Sequence, residues 1–285
     1  MLNLYQLCLT YPSVTGAFLI ILGCILGSFV NVVVVRLPAM MKRQWHEEYQ
    51  LIQKEYPQIQ KLPQTYNLFL PRSHCSHCQA KIPFYHNIPL VSYLMLKGAC
   101  HACEKPISKK YPVIESLAGL VALSAYLKFG CTTHFVGYLA LGMALLTLTF
   151  IDLDEMLLPD QIVLPLLWAG LVFHLYLGSM PVEYALLGAV FGYLILWSVY
   201  WLFKIITKKE GMGYGDFKLL AAIGAWLGVQ TLPMVLLIAS VLGVCVHLTL
   251  GFFDRSKLSQ AVPFGPYLSM AAWIVLLTGQ HITSW

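Results

Sequence analysis

The sequence has 285 residues, of which 58% are hydrophobic and 11% charged, with 18 Lys and Arg against 13 Asp and Glu for a formal net charge of +5. An ordinary soluble domain carries roughly 25% charged residues, so this composition belongs to a membrane protein and excludes a nucleic-acid binder or a disulfide-stapled secreted scaffold. The charges are clustered: residues 36–112 hold 11 of the basic residues and four of the acidic ones, a local balance of +7, while the other 208 residues sum to −2.

Charge-free runs mark the membrane-spanning candidates, because a helix needs about 20 apolar residues to cross ~30 Å of hydrocarbon. In chain order, eight helices are predicted over 14–35, 113–127, 135–151, 161–177, 184–203, 217–227, 232–252 and 264–281. The uninterrupted run 219–253 is divided because Gly228, Gln230 and Pro233 signal a turn. The sixth helix is the shortest, about 17 Å at 1.5 Å per residue. The expected fold is therefore an all-α polytopic membrane protein in three parts: an N-terminal helix over 1–35, a polar insert over 36–112 and a seven-helix domain over 113–285.

Eight spans place 17 basic residues on one side of the membrane and only Lys128 on the other. The positive-inside rule makes the basic side cytoplasmic and puts both termini outside the cytoplasm. Residues 1–13 lack a basic n-region and no cleavage site follows, so the first helix is expected to remain as an anchor.

Within the insert, a Lys-, Glu- and Gln-rich stretch over 41–61 reads as a helix or a solvated connector. Beyond it, Cys75 and Cys78 form one Cys-x-x-Cys pair and Cys100 and Cys103 a second. Each two-residue gap lets both sulfurs of a turn reach one ion, so the four cysteines are candidate ligands of a tetrahedral structural zinc. A reducing cytoplasm disfavours disulfides there, and an insert this small has little core without a staple. The alternative is four free or redox-active thiols, although no βαβ pattern supports a thioredoxin-type site. Nearby His74, His77, His86 and His101 read as surface residues, and Cys8, Cys24, Cys131 and Cys245 as small apolar ones.

Acidic residues near the spans are few. Asp152 closes the third predicted helix, ahead of Asp154, Glu155 and Asp160 in the connecting loop. Asp216 follows a run with three glycines, Gly211, Gly213 and Gly215, at the start of the short sixth helix. On one side of the membrane, the two form a candidate catalytic dyad. Carboxylates a few ångström apart cannot both ionise readily, so they share a proton; the ionised member takes a proton from water while the other donates to a carbonyl oxygen. The alternatives are a plain loop charge at Asp152 and a helix-start carboxylate at Asp216. A proton-coupled transporter competes as well, weakened because every acidic residue except Glu115 and Glu183 falls in a predicted cytoplasmic segment.

The ordered motifs carry a resemblance. Gly27 to Pro38, the paired Cys-x-x-Cys knuckles, Glu115 to Gly119, Ile151 to Asp160, Glu210 to Lys218 and Pro263 to Leu268 together resemble the bacterial type IV prepilin leader peptidases, bifunctional membrane enzymes of the GxGD aspartyl protease class. The resemblance implies removal of the short basic leader of type IV prepilins or type II secretion pseudopilins on the cytoplasmic side of the inner membrane. It assigns catalysis to Asp152 and Asp216. It also implies N-methylation of the new N-terminal residue, usually Phe, with S-adenosylmethionine as methyl donor.

No G-x-G-x-x-G follows a strand, so the methyl donor's site is not marked by that motif. Asn31, Arg36 and Glu115 are the candidates for it, each with a structural alternative: an interhelical hydrogen bond, a positive-inside anchor and an ion pair with Lys. Asp154, Glu155 and Asp160 are the acidic groups expected to meet a basic leader. His174 and His247 read as packed and hydrogen-bonded, and Trp197, Tyr200, Trp201 and Trp285 as interfacial anchors. Besides a membrane endopeptidase with lipid and pilin partners, a noncatalytic zinc-bearing assembly factor remains as a reading.

Overall fold

The computed structural model describes residues 10–52, 66–75, 77–178, 180–209, 211–253 and 262–279. Cys8, Glu210, Trp285, the loop 254–257 and the last part of the 41–61 stretch lie outside the described residues. The described chain is helical without strands and divides into two compact units, Met1–Tyr126 and Leu127–Trp285.

All eight predicted apolar helices are present. In the first unit they are α1 (Pro12–Ile52) and α3 (Lys110–Phe129), which ends just inside the second; a short α2 (Val91–Met95) lies between them. In the second unit they are α4 (Thr133–Glu155), α5 (Asp160–Tyr176), α6 (Val182–Thr207), α7 (Tyr214–Leu227), α8 (Leu232–Phe253) and α9 (Gly265–Thr278). Five of the eight are long and apolar enough to cross a membrane; α5, α7 and α9, at 17, 14 and 14 residues, are shorter.

The first helix differs most from expectation. It does not end with its apolar run at 35 but continues for 41 residues to Ile52, through Pro38. Past the apolar part, its backbone is supported by contacts one turn apart, Arg43 to Glu47 at 2.6 Å and Gln44 to Glu48 at 3.0 Å. At about 60 Å it is twice as long as a bilayer core is thick, so its charged end stands in water.

In the first unit, α1 and α3 touch through small residues. A Cβ at Gly23 would lie 2.7 Å from the Ala118 carbonyl oxygen, and one at Gly27 would lie 2.7 Å from the Ala118 methyl. This is the close backbone approach by which helices associate where no hydrophobic effect separates lipid from protein.

In the second unit, α7 is the hub, packed against α5, α6 and α9. Phe217, Leu219, Leu220, Ala222, Ile223 and Ala225 are fully enclosed. A helix apolar on every side is surrounded by protein, which explains how 14 residues suffice here. Its closest neighbour is α6, where Gly188 meets Gly224 backbone to backbone and a Cβ at Gly192 would lie 2.6 Å from the Leu220 carbonyl. The predicted break between α7 and α8 is present: Gly228 has φ +82° and a 3-10 turn over Val229–Thr231 follows.

Three smaller readings are revised or supported by the packing. Tyr200, expected at the membrane interface, is 3% exposed and packs in the core against Phe217, with ring centroids 5.6 Å apart. Cys131, read as a small apolar residue, is disulfide-bonded. His174 is buried and hydrogen-bonded at 2.9 Å to the Trp226 carbonyl, whose indole donates to the Leu166 carbonyl at 2.8 Å, so it is a packed histidine as its surroundings suggested.

Candidate active site

Asp152 and Asp216 come from helices 64 residues apart in sequence and are the only buried aspartates among the described residues, at 5% and 7% exposure. Asp152 lies in the last turn of α4, which Met156 closes in a left-handed conformation with its N–H donated to the Asp152 carbonyl at 2.9 Å. Asp216 lies in the first turn of α7, where unpaired backbone amides favour a carboxylate. Leu158 packs against Gly215, next to Asp216, and against Gly265, whose amide holds Asp152, so the two aspartates border one site.

The two carboxylates differ in their partners. Asp152 Oδ2 accepts the Gly265 backbone N–H at 3.1 Å, one of the donors left over at the start of α9. Asp216 Oδ1 is buried without a hydrogen-bond partner. A buried carboxylate oxygen left unpaired is costly, so this oxygen is suited to carry the shared proton or to meet a substrate atom.

Glycines make room for this arrangement. A Cβ at Gly265 would lie 2.6 Å from Asp152 Oδ2 and 3.2 Å from Leu158 Cδ2; a Cβ at Gly215 would lie 2.9 Å from Leu158 Cβ. Leu158, in the loop after α4, is thus wedged between the starts of α7 and α9 and fixes their spacing. Sequence reasoning picked out both aspartates but assigned no role to Gly265 or Leu158. The signal for Gly265 was present, since the Gly265-Pro266 pair opening an apolar run is a helix-start signature with free amides.

The acidic loop is less open than expected. Asp160 accepts two bonds from Lys218 Nζ, at 2.8 and 2.7 Å. That pair ties the start of α5 to α7 and offsets the charge that Asp160 was expected to offer a basic leader.

In the first unit, the sulfurs of Cys75, Cys78, Cys100 and Cys103 all lie within 4.8 Å of one another, with Cys75 and Cys103 at 3.9 Å. Four thiolates on a tetrahedral zinc stand roughly 3.8 Å apart, so the donor set fits that ion in number, type and spacing. The two knuckles repeat one design. Cys75 N–H donates to the Ala80 carbonyl and Cys100 N–H to the Lys105 carbonyl, both at 2.9 Å; Gln79 and Glu104 turn the chain at φ +59° and +58°. The backbone amides of Cys78 and His77 hold the Cys75 thiol down to about 6. Cys103 is pushed up to about 11: the Lys105 amide lowers it, but burial and the proton shared with the other three sulfurs prevail. One bound cation would relieve this competition for protons.

Asn31, Arg36 and Glu115 are all buried in this unit, with their polar atoms engaged by the protein itself. Arg36 donates to the carbonyls of Asn67 at 2.8 Å, Leu68 at 3.3 Å and Pro71 at 2.6 Å. Asn31 donates to the Tyr111 carbonyl at 3.2 Å, and Glu115 accepts the Leu90 N–H at 2.8 Å and bonds with Ser28 and Asn31. Asn31 and Glu115 therefore meet, whereas Arg36, about 140° around α1 from Asn31, serves another segment.

Helical spans, two buried aspartates and a four-cysteine cluster make this a polytopic membrane protein with a candidate catalytic dyad and a candidate metal knuckle. Residues 21–129 match the bacterial peptidase A24 N-terminal domain and residues 139–248 the type IV leader peptidase family. The chain belongs to the type IV leader peptidase family. It is similar to a prepilin leader peptidase/N-methyltransferase of Aeromonas hydrophila, 46% identical over 96% of this chain and 94% of that one. Proteins of the same description from Stutzerimonas stutzeri and Burkholderia pseudomallei strain K96243 are 46% and 44% identical, covering 93% and 92% of this chain and 91% and 85% of theirs. No solved structure matches the chain significantly.

Proposed function

We propose that this protein is a membrane aspartyl endopeptidase that removes the leader of type IV prepilins or pseudopilins and then N-methylates the exposed residue. The observation that carries the peptidase reading is the burial of Asp152 and Asp216 around Leu158, with Gly265 holding the first and Oδ1 of the second unpaired. Asp152, already accepting a hydrogen bond, acts as general base on a water; Asp216 carries the proton and donates it to the scissile carbonyl oxygen. The tetrahedral intermediate collapses as the proton taken by Asp152 passes to the leaving amine, and no covalent enzyme adduct forms.

Orientation follows the charge distribution: insert and dyad on the cytoplasmic face of the inner membrane, termini outside. The Cys131 disulfide supports this, because its loop between α3 and α4 is assigned to the opposite, oxidising side. The domain reading keeps 36–112 as the knuckle insert and 113–285 as the peptidase. Cys75, Cys78, Cys100 and Cys103 hold a structural zinc, which supplies cross-linking of the two knuckles. S-adenosylmethionine serves as methyl donor, with Asn31, Arg36 and Glu115 as the candidates to contact it; their hydrogen bonds to Tyr111, Pro71 and Leu90 also make them supports of their unit.

The test is leader removal by purified protein. Asp152→Asn and Asp216→Asn should each abolish cleavage while the protein still inserts; normal cleavage by either variant refutes the dyad. A transporter reading has nothing further in its favour, since the buried carboxylates sit at helix ends.

A further inference from the structure

The insert carries large apolar side chains that its own fold leaves uncovered. Phe69, Leu94 and Met95 are 79%, 74% and 78% exposed, and Leu70, Ile88 and Val91 are about half exposed. In a small water-facing domain such residues would be buried or replaced; several large apolar side chains left exposed in short neighbouring stretches mark an interaction surface. They fall in two short segments, 69–70 and 88–95.

Two buried side chains set where those segments stand. Arg36 lies at the end of the charge-free part of α1, and its donations to the Asn67, Leu68 and Pro71 carbonyls bracket Phe69 and Leu70. Asn67 Oδ1 accepts the N–H groups of Phe69 and Leu70 at 2.8 and 2.7 Å, which stiffens the turn that displays them. On the other side, Glu115 accepts the Leu90 N–H, immediately before α2. Glu115 is five residues into α3, about 7.5 Å along its axis. Both apolar segments are therefore held level with the places where α1 and α3 enter hydrocarbon.

We propose that these two segments are embedded in the adjacent bilayer leaflet, making the insert a membrane-surface domain whose depth is set by Arg36 and Glu115. The occupant of the surface is lipid. The insert is tethered to a span at each end, so a bilayer is always within reach. Its balance of +7 complements anionic headgroups, with Arg72, Lys81 and Lys97 near the two segments. The same charge repels a basic leader.

The experiment uses the full-length protein in vesicles of phosphatidylethanolamine and phosphatidylglycerol with a clickable acyl chain. p-Benzoylphenylalanine replaces Phe69 or Leu94, with Phe18 in α1 as a lipid-facing control and Gln79 in the knuckle as a water-facing one. Illumination should give lipid adducts at Phe69 and Leu94 at least about tenfold above Gln79 and near the Phe18 yield. Adducts at the Gln79 level, or adducts to a second copy or to added prepilin in place of lipid, would overturn the proposal. The supports are tested separately: Glu115→Leu should lower the Leu94 adduct and spare that at Phe69, and Arg36→Met should do the reverse. Unchanged yields in inserted variants with normal metal content would remove Arg36 and Glu115 from their depth-setting role. Because the first comparison needs neither variant, it stands even if they fail to fold.

Discussion

Gly265→Ala is the sharpest probe of the dyad. Gly265 lies within α9 and not in a left-handed conformation, so alanine suits its backbone. The added methyl would stand 2.6 Å from Asp152 Oδ2, against the 3.4 Å at which ordinary contact begins, so the carboxylate must retreat by about 0.8 Å. The obstructed atom is the far end of a rotatable side chain, so the fold yields there at small cost, within about 1 kcal/mol of overall stability. Catalysis does not: a misplacement of about 1 Å in a reacting group costs on the order of 10²-fold.

The expected result is thus a kcat for prepilin cleavage lower by about 10²-fold, equivalent to ~2.7 kcal/mol of barrier, with nearly unchanged thermal unfolding. The assay is single-turnover cleavage of purified prepilin by detergent-solubilised enzyme, followed by mass spectrometry. Gly243→Ala is the control, since its methyl would meet the Tyr267 ring at an ordinary 3.4 Å. A folded Gly265→Ala enzyme with kcat within about threefold of the parent would refute the positioning of Asp152 by α9.

Other consequences are open to measurement. Elemental analysis of the purified chain should find one zinc, and Cys75→Ser with Cys100→Ser should lose it together with protease resistance of the insert; resistance retained without metal would contradict a structural role. Gly188→Ala, whose methyl would collide with the Gly224 carbonyl, should destabilise by about 1–3 kcal/mol or more, seen as a lower unfolding temperature. Trp226→Phe removes the indole donor to the Leu166 carbonyl, which keeps its helical partner, and should cost about 0.5–1.5 kcal/mol, again read by thermal unfolding.

The sequence by itself determined the number and order of the apolar helices and the two knuckles, and it singled out Asp152 and Asp216 as a candidate pair. Each of these depends on local information: hydrophobic run length, turn residues, ligand spacing, and the scarcity of charge in apolar surroundings. It also misjudged what depends on neighbours. The end of the first apolar run did not end α1, because helix propensity and pairs one turn apart continue where hydrophobicity stops. Tyr200 looked like an interfacial aromatic, yet packing against Phe217 buried it. Cys131 looked like a small apolar residue, yet it is disulfide-bonded.

Only the tertiary structure decided which groups share a site. Asp152 is distinguished from Asp154 by burial and by the amide of Gly265, 113 residues away. Asp160 is paired with Lys218, and Arg36 and Glu115 turn inward to loop backbone. These are long-range pairings, set by which helices pack together, and no local pattern of residues encodes which partner a buried charge will find.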